Sequence, residues 1–308
     1  MDLRTLRAFV EVVRQGGFSQ AAKTIFVTQP TVSKAVRQLE DELGFPLLDR
    51  NGHRSAPSPA GDVVYRHATR MLALREELLA ELQDLADLRR GTLRIGLPLI
   101  GSSMLFAPLF ATYRHRYPGI DIRLTEHGSL QLEDILRAGD IELGASLLPV
   151  SDEFEWQPVR SEPLVVLMPA NHALARRAAV RLDDLRAEPL VLLESGFALN
   201  RIIQQACARR GFEPKVAARS GQMDFMIALV AAGLGLAFLP RMILEERPQA
   251  GLTHVLLDEP DIRWDLATVW RRDAYLSLAA RAWLDLVRET HAGRAQPGPR
   301  NPGRTGAS

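Results

Sequence analysis

Cysteine is all but missing from this 308-residue chain, Cys207 being the single example. An intrachain disulfide and a cysteine-based metal site are thereby excluded, which fits a reducing compartment. Inside an expected helix, Cys207 reads as a small buried residue rather than a redox centre. Lysine is scarce as well. Only Lys23, Lys34 and Lys215 occur, so arginine is a compositional habit and an isolated arginine carries little meaning. Long apolar runs are lacking. The most apolar stretch, Phe225 to Pro240, is interrupted by Gly233 and Gly235 and is too short to span a bilayer. It reads as a buried helix, a glycine break and a buried strand. The N-terminus carries no basic-then-apolar leader, so a cytoplasmic protein with no membrane partner is expected. A Walker loop, a paired-histidine metal motif and a G-x-S-x-G elbow are all absent. No catalytic residue, no metal and no cofactor is assigned, and an enzyme is not expected.

What remains is ample. With 46% hydrophobic residues the chain can build two or three domains. The net charge of +1 says nothing about a polyanionic partner, but its distribution does. The first 60 residues hold 8 Lys+Arg against 6 Asp+Glu, about +2, and all but two of those acids follow Arg37.

In that segment Leu3, Leu6, Val10 and Val13 mark a helix ending at Gly16-Gly17. Ser19 is an N-cap candidate for a second helix, beginning Gln20-Ala21-Ala22, whose alanines permit close approach. That helix should stop near Phe26, with Val27 plugging the turn and Thr28 capping a third helix that tolerates Pro30 in its first turn. Val32, Val36, Leu39 and Leu43 give the third helix one apolar stripe. Gln29, Pro30, Ser33, Lys34 and Arg37 lie opposite, donors and cations of the kind that reach base edges and phosphates in a major groove. Asn51-Gly52 between two short extended runs signals a hairpin. The unit is therefore a winged helix-turn-helix, with Arg50, His53 and Arg54 at the wing for phosphate or minor-groove contact. The DNA-facing candidates are Ser19, Gln20, Thr28, Gln29, Pro30, Thr31, Ser33, Lys34, Arg37, Arg50, His53 and Arg54.

Ser58-Pro59 opens a long helix running to about Leu88. Val64, Ala68, Met71, Leu78, Leu82 and Leu85 keep a heptad frame that Arg75 interrupts. Roughly 30 helical residues span about 45 Å, too long a stripe for the small domain before it. Pairing with the same helix of a second copy answers that, and a two-fold dimer suits a palindromic site. From Gly91 onward strands alternate with helices, the signature of βαβ units. One set covers Leu93–Leu97, Ser102–Tyr117, Ile120–Thr125, Leu130–Ala138 and Ile141–Ser146. A second covers Leu164–Met168, Leu190–Leu193, Leu199–Arg210, Lys215–Arg219, Met223–Ala232 and Leu236–Leu239. Joined near Arg160 to Glu162, they imply two lobes around a cleft. Trp264–Trp270 and the helix Leu276–Arg288 return to the first lobe. The expected division is 1–58 for the winged helix-turn-helix, 59–90 for the linker helix, 91–161 with 265–290 for lobe I, 162–264 for lobe II and 291–308 for a disordered tail. Ligands of open α/β sheets sit at strand ends where helix N-termini point. Here those ends are Gly101-Ser102-Ser103, Gly128-Ser129 and Ser195-Gly196-Phe197, donors suited to a small anion, most simply a carboxylate.

Taken together the chain resembles the LysR-type transcriptional regulators. The resemblance rests on Phe18-Ser19-Gln20-Ala21-Ala22, Val27-Thr28-Gln29-Pro30-Thr31-Val32-Ser33, Leu39-Glu40-Asp41-Glu42-Leu43-Gly44 and Pro57-Ser58-Pro59-Ala60-Gly61. It extends to Leu136-Arg137-Ala138-Gly139-Asp140-Ile141-Glu142-Leu143 and Gly233-Leu234-Gly235-Leu236-Ala237-Phe238-Leu239-Pro240. What it implies is a homodimer or homotetramer that binds double-stranded promoter DNA. It also implies a small-molecule effector in a periplasmic-binding-protein-like domain. Gln29, Pro30, Thr31, Ser33, Lys34 and Arg37 fall on the family's DNA-reading positions. Ser102 or Ser103, Ser129, the neighbourhood of Phe197, and Ser146 to Leu148 match its ligand-contacting ones. The effector candidates are thus Ser102, Ser103, Gly128, Ser129, Ser146, Leu148, Ser195 and Phe197.

Overall fold

Helix α1 (Leu3–Gln15) starts where the Asp2 carboxylate accepts hydrogen bonds from the Arg4 and Thr5 amides, each at 2.8 Å. The bond from the Thr5 amide holds the Asp2 carboxyl below its usual pKa. Gly16 ends the helix in the left-handed region, at φ 67°. The structure, a computed structural model, describes residues 1–49, 56–84, 91–246 and 249–291. These form two compact units, the N-terminal helices and the α/β remainder.

In the first unit α2 (Phe18–Thr24) and α3 (Gln29–Leu43) follow α1. The cap expected at Ser19 is supplied instead by the extended backbone of Gly17, so the helix begins at Phe18 and Ser19 is exposed in its first turn. Ala21 and Ala22 are buried, and their short side chains bring α2 against its neighbours. Val27, expected to plug the turn, is exposed. Phe26 adopts φ 57°, and this left-handed residue redirects the chain so that Ile25 packs on the core in its place. On α3, Val32, Val36 and Leu39 join Leu6, Phe9 and Val10 in one core. Leu48 then bridges Pro57, and the Asp49 amide donates to the Ala56 carbonyl at 2.8 Å. These contacts are the base of the expected hairpin. Its tip, with Arg50, His53 and Arg54, lies outside the described residues.

Helix α4 (Pro59–Asp84) is capped by Ser58, whose Oγ accepts from the Gly61 amide at 3.0 Å and donates to the Pro46 carbonyl at 2.6 Å. A Cβ on Gly61 would lie 2.0 Å from the Leu47 carbonyl oxygen, so only glycine fits this crossing. The apolar stripe of α4 divides in two. Val64 and Ala68 pack on the core of the unit, whereas Met71, Leu74, Leu78 and Leu82 are exposed. Leu74, absent from the expected heptad frame, extends that exposed stripe. Leu85 and the expected end at Leu88 lie outside the described residues.

The second unit opens with β1 (Gly91–Pro98), α5 (Ser102–Leu105), α6 (Ala107–Arg116), β2 (Ile120–His127), α7 (Ser129–Arg137) and β3 (Leu143–Leu147). The single helix expected over Ser102–Tyr117 is broken at Phe106, because Pro108 enters the first turn of α6 and has no amide to continue α5. Strand β4 (Phe154–Pro169) runs for 16 residues. Next come β5 (Ala179–Val180), β6 (Pro189–Leu193), α8 (Ala198–Arg209), β7 (Lys215–Ser220), α9 (Met223–Ala231), β8 (Ala237–Pro240) and α10 (Arg241–Glu246). The unit closes with β9 (Leu252–Leu257), β10 (Arg263–Arg271) and α11 (Leu278–His291). The first half of β4, β9 and α10 had no counterpart in the sequence reading.

The sheet order is β2-β1-β3-β10-β4-β9-β5, with β8 also on β4. One lobe holds parallel β2, β1 and β3 with antiparallel β10 and the first half of β4. From Leu164 onward β4 pairs with β8 and β9 and so belongs to the other lobe. That lobe also contains the parallel pair β6 and β7, and Leu190 bridges Leu236 beside β8. The lobes therefore meet where β4 changes partners, close to the expected Arg160–Glu162 junction. No helix among the described residues is long and apolar enough to cross a membrane.

Trp283 on α11 is fully buried, with ring centroids 4.6 Å from Phe110 and 5.4 Å from Tyr113, and the Tyr113 hydroxyl donates to the Ala279 carbonyl at 2.8 Å. Burial pushes the Tyr113 pKa well up. Trp283→Ala should cost the α/β unit about 3–5 kcal/mol, read from urea unfolding by the fluorescence of the other tryptophans. A loss below about 1 kcal/mol would show that the α6–α11 junction is no core.

Candidate functional site

The stripe of α3 fixes which side chains its other face offers. Val32, Val36 and Leu39 are each at most 1% exposed, and so Gln29, Pro30, Thr31, Lys34 and Arg37 point to solvent, with Ser33 half-buried. Gln29, Pro30, Ser33, Lys34 and Arg37 line one open, shallow surface together with Gln38 and Asp41. Gln38 was missed in the sequence, although it follows Lys34 at the helical spacing of four. Among the described residues no ion pair occupies Lys34 or Arg37, so both cations are available to an anion. Thr28 is the N-cap by position, but its hydroxyl meets that of Thr31 at 2.8 Å and not an amide. The Thr31 and Val32 amides donate to the Thr28 carbonyl at 3.0 and 3.2 Å and Pro30 has no amide hydrogen, so the donor this end offers an incoming phosphate is the Gln29 backbone amide. Ser19 and Gln20 are exposed at the start of α2.

Between the lobes of the α/β unit lies a cavity of about 10 Å³, room for roughly one water molecule. Pro98, Ile100, Ser129, Leu147, Leu193, Phe197, Leu199, Trp264 and Leu266 line it. Apolar side chains dominate, and neither lysine nor arginine is among them. Ser129, the first residue of α7, is 4% exposed, and no group among the described residues hydrogen-bonds its hydroxyl. The lobes touch closely here: the Leu130 amide donates to the Gly196 carbonyl at 3.2 Å. A Cβ on Gly128 would approach that carbonyl oxygen to 2.4 Å. On the far side of the cleft Arg201 donates to the Pro149 carbonyl at 3.5 Å.

The cleft gathers only part of the expected set. Ser129 and Phe197 line the cavity and Gly128 borders it. Ser102 is buried but spends its hydroxyl on the Pro98 carbonyl. Ser103 and Ser195 are exposed. Ser146 and Leu148 do not line it, for a reason of strand geometry. Successive side chains of β3 alternate, so Leu147 faces the cavity while its two neighbours face into lobe I. There Ser146 donates to Glu133 at 2.8 Å, and Leu148 packs against the cluster of Leu132, Leu136, Ile141, Phe154, Ala267 and Val269. Trp264 and Leu266, two apart on β10, were missed by the sequence reading. The same alternation finds them once β10 is placed at the lobe junction.

No cluster of metal-ligating side chains occurs among the described residues. Cys207 is buried in α8, and burial raises its thiol pKa, the reverse of what a nucleophile needs.

Comparison with known proteins agrees with both units. Residues 3–62 match the model of the bacterial regulatory helix-turn-helix proteins of the lysR family, and residues 86–292 match the LysR substrate binding domain. The chain is 34% identical over 286 residues to the HTH-type transcriptional regulator YwbI of Bacillus subtilis, covering 92% of this chain and 95% of that one. It is 28% identical to the transcriptional dual regulator GltC of the same organism, covering 93% and 96%. Among solved structures, full-length BenM superimposes with TM-score 0.59 at 27% identity, covering 98% of this chain and 100% of that one. A full-length OxyR variant from Pseudomonas aeruginosa gives 0.58 at 26%, covering 94% and 100%.

The glycines at the lobe contact can be tested as a pair. Gly128→Ala should destabilise the α/β unit by about 1–3 kcal/mol through the clash with the Gly196 carbonyl. Gly196→Ala, whose Cβ meets nothing within 4 Å, should cost little. Urea unfolding followed by tryptophan fluorescence separates the two, and equal effects would mean that the close approach is not real.

Proposed function

The chain belongs to the LysR-type transcriptional regulators, DNA-binding proteins with an effector-binding domain, and on that premise we propose how its own residues perform the task. Two copies pair through α4, and α3 of each enters the major groove of a palindromic promoter site in the cytoplasm. Gln29, Pro30, Thr31, Ser33, Lys34 and Arg37 make the contacts, with Ser19, Gln20 and Thr28 beside them and the wing residues Arg50, His53 and Arg54 on phosphates. The carrying observation is that α3 leaves Lys34 and Arg37 exposed and, among the described residues, without an ion pair, while its opposite stripe is sealed. Dimers formed through the exposed stripe associate further into a tetramer. The working division is 1–58, 59–90, 91–161 with 265–290, 162–264, and a tail at 291–308.

The effector is a small molecule with an apolar body and a carboxylate head. Ile100, Leu147, Phe197, Trp264 and Leu266 supply a wall for a ring or a branched hydrocarbon. The Ser129 hydroxyl, without a hydrogen-bond partner among the described residues, supplies a donor to the head, aided by the positive end of the α7 dipole. With no cation in the wall, this is a site for one carboxylate and not for a phosphate ester.

Lys34→Ala and Arg37→Ala should each weaken operator binding, by about 1–3 kcal/mol where a base contact is lost. Gel shifts showing wild-type affinity for both would refute the recognition-helix assignment. Leu78→Glu should place a charge in the middle of the paired stripe and yield monomers in sedimentation. A dimer that survives it would rule out α4 as the pairing surface.

A further inference from the structure

Helix α2 ends on a residue poorly suited to the position. The Val27 amide donates to the Ala22 carbonyl at 3.0 Å and the Phe26 amide to the Lys23 carbonyl at 3.3 Å, the paired bonds of a Schellman termination. Such a termination needs a left-handed residue between them, and here Phe26 provides it at φ 57°. Elsewhere the chain spends glycine on this conformation: Gly16, Gly44, Gly211 and Gly233 close helices at φ 67° to 77°. Among the described residues the only other non-glycine at positive φ is Asp273, a residue type that tolerates it. Phe26 is thus the one bulky side chain held in a strained backbone. It gains nothing inside the fold in return, because it is 94% exposed, the most exposed of the large apolar residues among those described. Glycine or asparagine would satisfy the same hydrogen bonds without strain and without a bare aromatic ring.

The position of the ring supplies the missing reason. Phe26 begins a continuous exposed run to Thr31, which contains the N-cap of α3 and its first contacts, Gln29 and Pro30. Strain persists where a surrounding function selects it. We propose that Phe26 is a specificity-determining contact of the DNA interface, its ring covering an apolar edge of the duplex next to the bases met by Gln29 and Pro30. The apolar edges that a groove offers are the thymine 5-methyl and the deoxyribose C–H faces. The ring is a second, uncharged reading element in an interface whose other contacts are polar. It also compensates for a binding segment that carries few cations. The inference rests on the assignment of α3 to DNA.

The experiment uses the full chain and a duplex that wild-type protein selects from a random pool. Phe26→Gly and Phe26→Asn should melt no lower than wild type, by up to roughly 2–4 °C higher, while binding that duplex at least about fivefold more weakly. Phe26→Leu should retain most of the affinity. Deoxyuridine placed at each thymine in turn then identifies the edge. A methyl contact costs wild type affinity at one thymine and costs Phe26→Asn nothing there. A flat thymine scan, with Phe26→Asn weakened equally on every duplex, would make the ring a sequence-independent sugar contact and overturn its role in specificity. Wild-type affinity for Phe26→Asn, with Lys34→Ala still defective, overturns the Phe26 contact alone. If both variants bind normally, the α3 assignment fails and takes this one with it. A fall in melting temperature for both Phe26→Gly and Phe26→Asn, or a changed sedimentation coefficient without DNA, would make the ring a folding or protein–protein contact and overturn the proposal.

Discussion

Everything the first unit offers to a duplex depends on how one side of α3 is buried. Val32, Val36 and Leu39 sit in a core with Leu6, Phe9 and Val10, and a helix anchored on three consecutive turns cannot roll about its axis. That constraint, not any contact of Lys34 or Arg37, sets the direction in which those cations project. It also explains the economy of α2. Its two buried alanines act as a spacer of minimal thickness, holding α3 close to α1 and leaving its N-terminus proud of the surface.

The α/β unit solves a comparable problem with strands. The chain passes between lobes twice, along β4 and through the segment from Leu257 to Arg263 into β10. At this junction Arg160 donates to the buried Glu162, and Arg263 donates to Ser161. Around these two crossings one hydrophobic cluster runs continuously through both lobes, from Leu93 and Leu143 to Leu190 and Phe238. Trp264 lies at this junction and in the cavity wall at once, its ring packed where any Cβ on Gly101 would come within 2.8 Å.

Legibility followed periodicity. The α3 stripe, the cap at Ser58 and the βαβ order were readable because each rests on local spacing or local hydrogen bonding. The errors came where tertiary contacts decided. Ser19 lost its capping place to Gly17 because an extended glycine at the preceding turn was enough to start the helix. Val27 lost the turn to Ile25 because of a left-handed phenylalanine that no propensity scale foresees. The first half of β4 contains Pro158 and weak alternation, and it is a strand because β10 pairs with it. In the cleft, hydroxyls drew the reading toward serines, while the wall is mostly leucine, phenylalanine and tryptophan. Ser146 and Leu148 were separated from the cavity by nothing more than strand parity, which a sequence reveals only once the facing of one residue is known.

On the effector site proposed above, the small cavity sets a thermodynamic condition on sensing. Any effector larger than a water molecule must part the lobes, breaking the Leu130–Gly196 hydrogen bond and the Arg201–Pro149 contact. Each is a single net bond of about 0.5–1.5 kcal/mol, so the separation costs little beyond the apolar surface exposed. An apolar effector re-covers that surface itself, and the balance between lobe arrangements then rests on its head group at Ser129. Ligands with equal affinity for both arrangements shift nothing, however tightly they bind. In the proposed site, discrimination among effectors of similar body thus falls to the α7 N-terminus. On that proposal the hydrophobic wall sets how strongly the site is occupied, and the Ser129 hydroxyl sets whether occupancy is transmitted.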